Sequence, residues 1–233
     1  QMFLDCFGCD VDYSLGKNFA DFADQFSKDS RYRTELYKLR RKFMSHADGL
    51  IHADLHTSNI MASRDKMKVI DMEFAFMGPF GYDLGYLVGN LISQYCAACF
   101  KRFPSEQNRK QFKAYLLATI QSLIETYMKT FTLCWERSVK ERYRGQQGLL
   151  QSILQEVMVD MPGYASMVNW FRSVSEIPYP DFDVIENKDA KRNATVLSLM
   201  IDWGIMFGRY KYQSADDLIE TIIGIEEEFR KSL

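Results

Sequence analysis

The sequence lacks most of what would draw it to a charged partner. Its 29 Lys and Arg stand against 31 Asp and Glu, a formal charge of −2 with a pI near 6.0, so neither nucleic acid nor an anionic membrane surface finds the concentrated basic face it needs. Short basic runs such as Arg40-Arg41-Lys42 read as the solvated side of a helix. No run approaches the ~18 uncharged apolar residues of a membrane span, and none resembles a signal peptide. The five cysteines are an odd set, Cys6, Cys9, Cys96, Cys99 and Cys134, which argues against a disulfide framework and for a reducing, cytoplasmic compartment. Two Cys-x-x-Cys pairs, Cys6/Cys9 and Cys96/Cys99, could in principle hold one zinc ion. Their separation is far wider than in a zinc ribbon, however, and Cys96 and Cys99 fall in an apolar helical pattern where cysteine acts as a small hydrophobe. The spacing leaves open whether these thiols bind metal. Repeats, low-complexity tracts and long linkers are also missing, so one unit over residues 1–233 is expected.

What is present is apolar and aromatic: 47% hydrophobic residues, with 17 Phe, 13 Tyr and 3 Trp, enough for a dense core. Residues 1–17, punctuated by Gly8 and Gly16, read as loop or edge structure. Phe19, Phe22 and Phe26 recur at helical spacing. Asp29 and Ser30 look like a cap, and Leu36, Leu39, Phe43 and Met44 continue a second helix that ends near residues 48–49. Short apolar runs follow at 50–52, 60–63 and 67–70, the last two joined by the polar Arg64-Asp-Lys66, which predicts a small hairpin. Beyond Pro79 the pattern predicts a helix over 82–100 and a long stripe through Phe112, Leu116, Ile120, Leu123, Tyr127 and Phe131. Four more helices are expected at 149–159, 164–174, 190–207 and 215–229, with 175–189 a loop. The expected fold is mainly α with a small β hairpin.

The chemistry concentrates between residues 50 and 91. An Asp in a loop between apolar runs (Asp54), an Asn five residues on (Asn59), and an acidic pair after the next strand (Asp71, Glu73) are the parts from which kinases assemble a base and a metal site. Phosphoryl transfer needs an aligned acceptor hydroxyl, phosphate charge neutralised by a divalent ion, and exclusion of water. Asp54 can accept or orient the hydroxyl proton, since an ionised carboxylate only accepts hydrogen bonds. Asn59 offers an uncharged oxygen, and Asp71 and Glu73, at alternate positions of a segment expected to be extended, would project to one side. Together these suit Mg2+, which takes a few hard oxygens plus phosphate and water. His52 closes an apolar run and reads as a loop brace. His56 lies inside the loop, a substrate contact or a scaffold. Asp83, ahead of an apolar helix, is a cap or a brace for the loop around Asp54.

His52-Ala-Asp-Leu-His-Thr-Ser-Asn59 and Asp71-Met-Glu-Phe-Ala-Phe-Met-Gly-Pro-Phe-Gly-Tyr-Asp-Leu-Gly85 together resemble the methylthioribose kinases, within the wider aminoglycoside phosphotransferase and choline kinase superfamily. The resemblance implies a protein-kinase-like C-terminal lobe that uses ATP and Mg2+ to phosphorylate 5-methylthioribose in methionine salvage. It implies Asp54 as the catalytic Asp, Asp71 and Glu73 as metal ligands, Asp83 as the helix Asp that steadies the loop, and a homodimer as in the family. Three departures accompany it. Ala53 stands where the family has Gly. Asn59 stands where methylthioribose kinases have Ser, Asn being the wider superfamily's metal ligand. Where the family carries adjacent sugar-binding arginines, only Arg209, with Lys211 nearby, is present, and lysine lacks the planar donor fork of arginine.

The 13 glycines never form Gly-x-Gly-x-x-Gly, and no strand-loop-strand with a lysine precedes His52. With Gln1 rather than Met at the start, this leads us to expect a fragment or processed product: a C-terminal lobe whose ATP-cradling N-terminal lobe is absent from this polypeptide. Two rival readings remain. An aminoglycoside, choline or another amino alcohol would want an acidic pocket, for which Asp181, Asp183, Asp216 and Asp217 are candidates. A non-catalytic kinase-like binding module would have no chemical need for the four intact site residues.

Overall fold

A computed structural model of the chain describes residues 28–174 and 179–233. The expectations for residues 1–17, for the first helix over Phe19–Phe26 and for Cys6 and Cys9 lie outside them. The first described helix, α1 (Ser30–Ser45), starts where Asp29 accepts hydrogen bonds from the backbone N–H groups of Arg31 and Tyr32, satisfying two donors that a helix start leaves unpaired. Four three-residue strands follow: β1 (Gly49–Ile51), β2 (Ile60–Ala62), β3 (Met67–Val69) and β4 (Phe76–Gly78). The predicted hairpin is β2–β3, with Ile60 opposite Val69. The pairing of β1 with β4, Leu50 opposite Met77, was not foreseen, because a three-residue strand gives no periodicity to read.

The rest is helical: α2 (Gly81–Phe100), α3 (Glu106–Ser138), α4 (Gln147–Val174), the single turn α5 (Pro180–Asp183), α6 (Lys188–Gly208) and α7 (Ala215–Ser232). Two expectations are corrected. The helices predicted at 149–159 and 164–174 are one helix that continues through Pro162, and the predicted loop 175–189 contains the turn α5. Proline normally costs a helix interior about 3 kcal/mol. Burial of Met161, Pro162, Gly163 and Tyr164 against the neighbouring helices outweighs that.

The buried core is built on α2. Gly81, Gly85 and Gly89 recur every fourth residue on one face of the helix, and α4 lies directly against them. A Cβ on Gly85 would sit 2.6 Å from both the Met161 carbonyl oxygen and Tyr164 Cβ, and one on Gly89 would sit 2.6 Å from the Ala165 oxygen. On other faces Leu84, Val88, Ile92 and Cys96 pack with residues of α3, α6 and α7, while Tyr82 and Tyr86 join Tyr32, Leu36 and Leu39 of α1, together with Trp170, in a second cluster. Cys96 and Cys99 are buried, and burial pushes both thiols well above their ordinary range, which keeps them protonated hydrophobes. No helix among the described residues is long and apolar enough to cross a membrane. The catalytic-type loop of residues 52–59 therefore sits on a rigid platform, the N-terminal half of α2.

Candidate active site

The loop is held from below by Asp83, in the first turn of α2. Its carboxylate accepts the backbone N–H of His52 at 2.6 Å and of Ala53 at 3.0 Å. Burial raises the pKa of Asp83 above the ordinary carboxylate range even though these two donors favour the charged form. The brace is needed because Ala53 adopts φ of 67°, a left-handed conformation that costs a residue with a Cβ about 1–2 kcal/mol.

His52 ties the loop laterally. Its Nδ1 accepts the N–H of Asp54 at 3.3 Å, and its Nε2 lies 2.8 Å from the carbonyl oxygen of Ile70. With Nδ1 an acceptor, Nε2 carries the proton and donates to Ile70. The histidine thus joins Asp54 to the residue before Asp71. A second stitch is the N–H of Ile70 donating to the carbonyl of Asn59 at 3.0 Å, which sets Asn59 beside the start of the acidic segment.

Asp54 is partly exposed. Its backbone carbonyl accepts from His56 N–H at 2.9 Å and from Asn59 Nδ2 at 3.0 Å. The Tyr86 hydroxyl, from α2, donates to Asp54 Oδ1 at 2.9 Å, while Oδ2 lies 3.5 Å from His56 Nε2. With the amide nitrogen of the buried Asn59 committed to Asp54, its oxygen is the end left to serve a ligand.

The acidic pair departs from expectation. Asp71 has φ of 66° and Glu73 lies in a turn closed by Ala75 N–H donating to Met72 O, so the alternation argument for a shared side fails: the backbone between them is not extended. Both carboxylates are exposed, and neither forms an ion pair among the described residues. Among the described residues no three His, Cys, Asp or Glu side chains converge as a closed metal site. An Mg2+ site needs only one or two carboxylates plus phosphate and water, and Asn59, Asp71 and Glu73 fit that demand as hard oxygen donors without competing cations.

Arg209 is a correction. It is 2% exposed, with its guanidinium on Glu35 at 2.8 Å, 3.8 Å from Asp160 and donating to the Val159 carbonyl. It ties α1 to α4 and the end of α6 instead of facing a substrate. The four aspartates considered for a cationic acceptor are also engaged: Asp181 with Arg172 and Gln94, Asp183 with Lys191, Asp216 with Gln121, and Asp217 in the capping box of α7. Sequence reasoning missed Tyr86 and Asn90, whose side chains reach Asp54 and, at 3.5 Å, the N–H of Thr57. The signal was legible: Asp83, Tyr86, Asn90 and Gln94 form a polar stripe at helical spacing in an otherwise apolar helix.

Residues 11–123 match the model of the APH phosphotransferase enzyme family. The match covers a little under half of the chain, and the helical architecture with two small two-stranded sheets is that of a kinase-like C-terminal lobe. The chain is also similar to methylthioribose kinases. It is 32% identical over 198 residues to the enzyme of Geobacillus thermodenitrificans (85% of this chain, 48% of the relative). It is 33% identical over 190 residues to that of Geobacillus kaustophilus (82% and 46%), and 29% identical over 193 residues to that of Bacillus cereus strain B4264 (83% and 46%). The chain spans about half the length of the curated relatives it matches.

Proposed function

We propose that these residues form the acceptor and metal side of an ATP-dependent small-molecule kinase, transferring the γ-phosphate to a sugar hydroxyl, with 5-methylthioribose the first acceptor to test. The observation that carries this reading is the state of Asp54: one carboxylate oxygen is fixed by Tyr86 and the other lies on the His56 side, on a loop whose far end, at Asn59, is bonded through its backbone to Ile70, the residue before Asp71. In the reaction, the acceptor hydroxyl gives its proton to Asp54 Oδ2 as its oxygen bonds to phosphorus, and the bond to the bridging oxygen breaks with its electron pair leaving on ADP. Asn59, Asp71 and Glu73 would hold Mg2+, which when bound neutralises charge on the phosphates.

A neutral acceptor is favoured over an aminoglycoside or choline because Asp181 and Asp183 already hold Arg172 and Lys191, while Asp217 is spent on capping α7. Since no glycine-rich loop with a strand lysine is found ahead of His52, the reading assigns the ATP-phosphate contacts to a separate cradling lobe, and residues 1–233 alone should turn over far more slowly than a kinase containing both. The test is turnover of ATP and Mg2+ with a panel of hydroxyl acceptors by the longest natural form of the protein. Asp54→Asn should lower kcat by about 10²–10⁴ with the first acceptor. Undiminished turnover in Asp54→Asn would remove Asp54 as the base, whereas no turnover with any acceptor would favour a non-catalytic kinase-like module.

A further inference from the structure

Other tyrosines packed into the helical body, buried or half-buried, spend their hydroxyls on neighbours outside the loop of residues 52–59. Tyr32 pairs with Ser166, Tyr127 donates to the Phe80 carbonyl, Tyr164 to the Leu39 carbonyl and Tyr212 to Thr221. Tyr86 differs. Its ring is 7% exposed and packs edge-on to Tyr82, itself wedged against Phe43 and Tyr164, yet its hydroxyl leaves the body and donates to the partly exposed carboxylate of Asp54. A side chain immobilised in the core of a 20-residue helix thus holds one oxygen of a loop side chain that has solvent on its other edge. Burial, and then the neighbouring Asp54 charge, push the phenol far above its ordinary pKa, so it remains a donor throughout the working range.

From this we infer that Tyr86 is a positioning residue for phosphoryl transfer: by occupying Asp54 Oδ1 it leaves Oδ2, on the His56 side, as the oxygen that receives the acceptor proton. The inference rests on the reading of Asp54 as the base. It also assigns the approach: the acceptor hydroxyl enters from the side of His56, because Oδ1 is the oxygen held by the phenol. Without the phenolic donor the side chain is free to rotate about its two torsions, and the reactive oxygen spends less time aligned. Loss of alignment lowers the rate of the chemical step while leaving ground-state binding of both substrates in place.

The experiment compares wild type, Tyr86→Phe and Asp54→Asn in the longest natural form of the protein, measuring kcat, both KM values and the thermal midpoint. Tyr86→Phe keeps the ring and its packing, so a purely structural role predicts no selective effect on kcat. We expect about a tenfold fall in kcat, less than a twofold change in either KM, and a thermal midpoint close to wild type. An unchanged kcat, or a fall matched by a raised KM or a lowered midpoint, overturns the inference while Asp54→Asn still loses activity. An Asp54→Asn protein that turns over like wild type instead removes the base, and the inference with it.

Discussion

The helical body and the hairpin layer above it are built on opposite plans. In the body, α2, α4 and α6 bury nearly every apolar side chain, and two buried carboxylates are paired: Glu226 with Lys113, Arg230 and the Tyr95 hydroxyl, and Glu35 with Lys38, Arg209 and the Tyr210 hydroxyl; Asp202, held by Asn169 alone, has its pKa raised by burial. In the hairpin layer, Leu50, Met61, Met67, Met72 and Phe74 are exposed, no strand exceeds three residues, and two residues with side chains, Ala53 and Asp71, sit at positive φ. One region is held by area, the other by a few side-chain bonds to backbone. Packing gives a platform its rigidity, whereas a site that must receive ligands keeps its oxygens accessible and accepts strain in return.

The sharpest way to break the body is at its closest contact. Gly85→Val places carbon where the Met161 carbonyl and Tyr164 Cβ already stand, and two packed helix backbones have little room to yield. It should destabilise the protein by more than about 4 kcal/mol, read as a loss of folded protein or of most of the denaturation midpoint. Gly224→Val, at a helical glycine with open space around it, is the matched control and should be nearly neutral.

The site should break differently. Asp83→Ala leaves the N–H groups of His52 and Ala53 without their acceptor, and should cost about 2–3 kcal/mol while lowering kcat by roughly 10²-fold through a misplaced Asp54. If activity falls no further than stability alone accounts for, the brace is not what positions the loop. Arg209→Lys offers the contrast: it should lower stability through its buried partners Glu35 and Asp160 and leave the acceptor KM unchanged.

Acid separates the regions again. Burial alone would raise the Glu226 carboxyl, yet Lys113, Tyr95 and Arg230 outweigh it and hold the group at about 2. A depressed native pKa means the contribution is fully present above the unfolded value of 4.5 and lost as pH falls from there toward 2. With solvent screening allowed for, that loss is about 1–2 kcal/mol. Glu226→Gln should be less stable at pH 7 and should show a flatter decline below pH 4.5, measured by urea unfolding at each pH.

The same contrast explains what could be read from the sequence. Long helices announce themselves because a buried face repeats every turn, so α2, α6 and α7 were legible to within a few residues and α3 in its middle, short by about two turns at each end. The continuity of α4 across Pro162 was not foreseen, because proline's local cost is visible in sequence and the packing that outweighs it is not. In the site, residue types and spacing pointed to Asp54, Asn59, Asp71 and Glu73 as chemistry. Their geometry was not legible, because the Asp71–Glu73 segment turns at a positive φ that no apolar period marks. Arg209 drew attention as a lone arginine near the right place in the chain, and only the structure reveals that it is buried with its guanidinium already on Glu35 and the Val159 carbonyl.

The smallest expected effect tests whether the hairpin layer holds real strain. Ala53 at φ of 67° is in a conformation that glycine adopts freely, worth about 1–2 kcal/mol of relief. Against that stand the extra freedom glycine gains in the unfolded chain, about 0.5–1 kcal/mol, and a modest loss of contact by one half-buried methyl. The balance leaves Ala53→Gly stabilised by about 0.5 kcal/mol or neutral, measured by chemical denaturation. Activity should be retained, because Asp83 still holds the N–H of residue 53 and the register of Asp54 is unchanged. Destabilisation beyond about 0.5 kcal/mol would mean that residue 53 is not strained and that the loop is shaped by something other than the carboxylate beneath it.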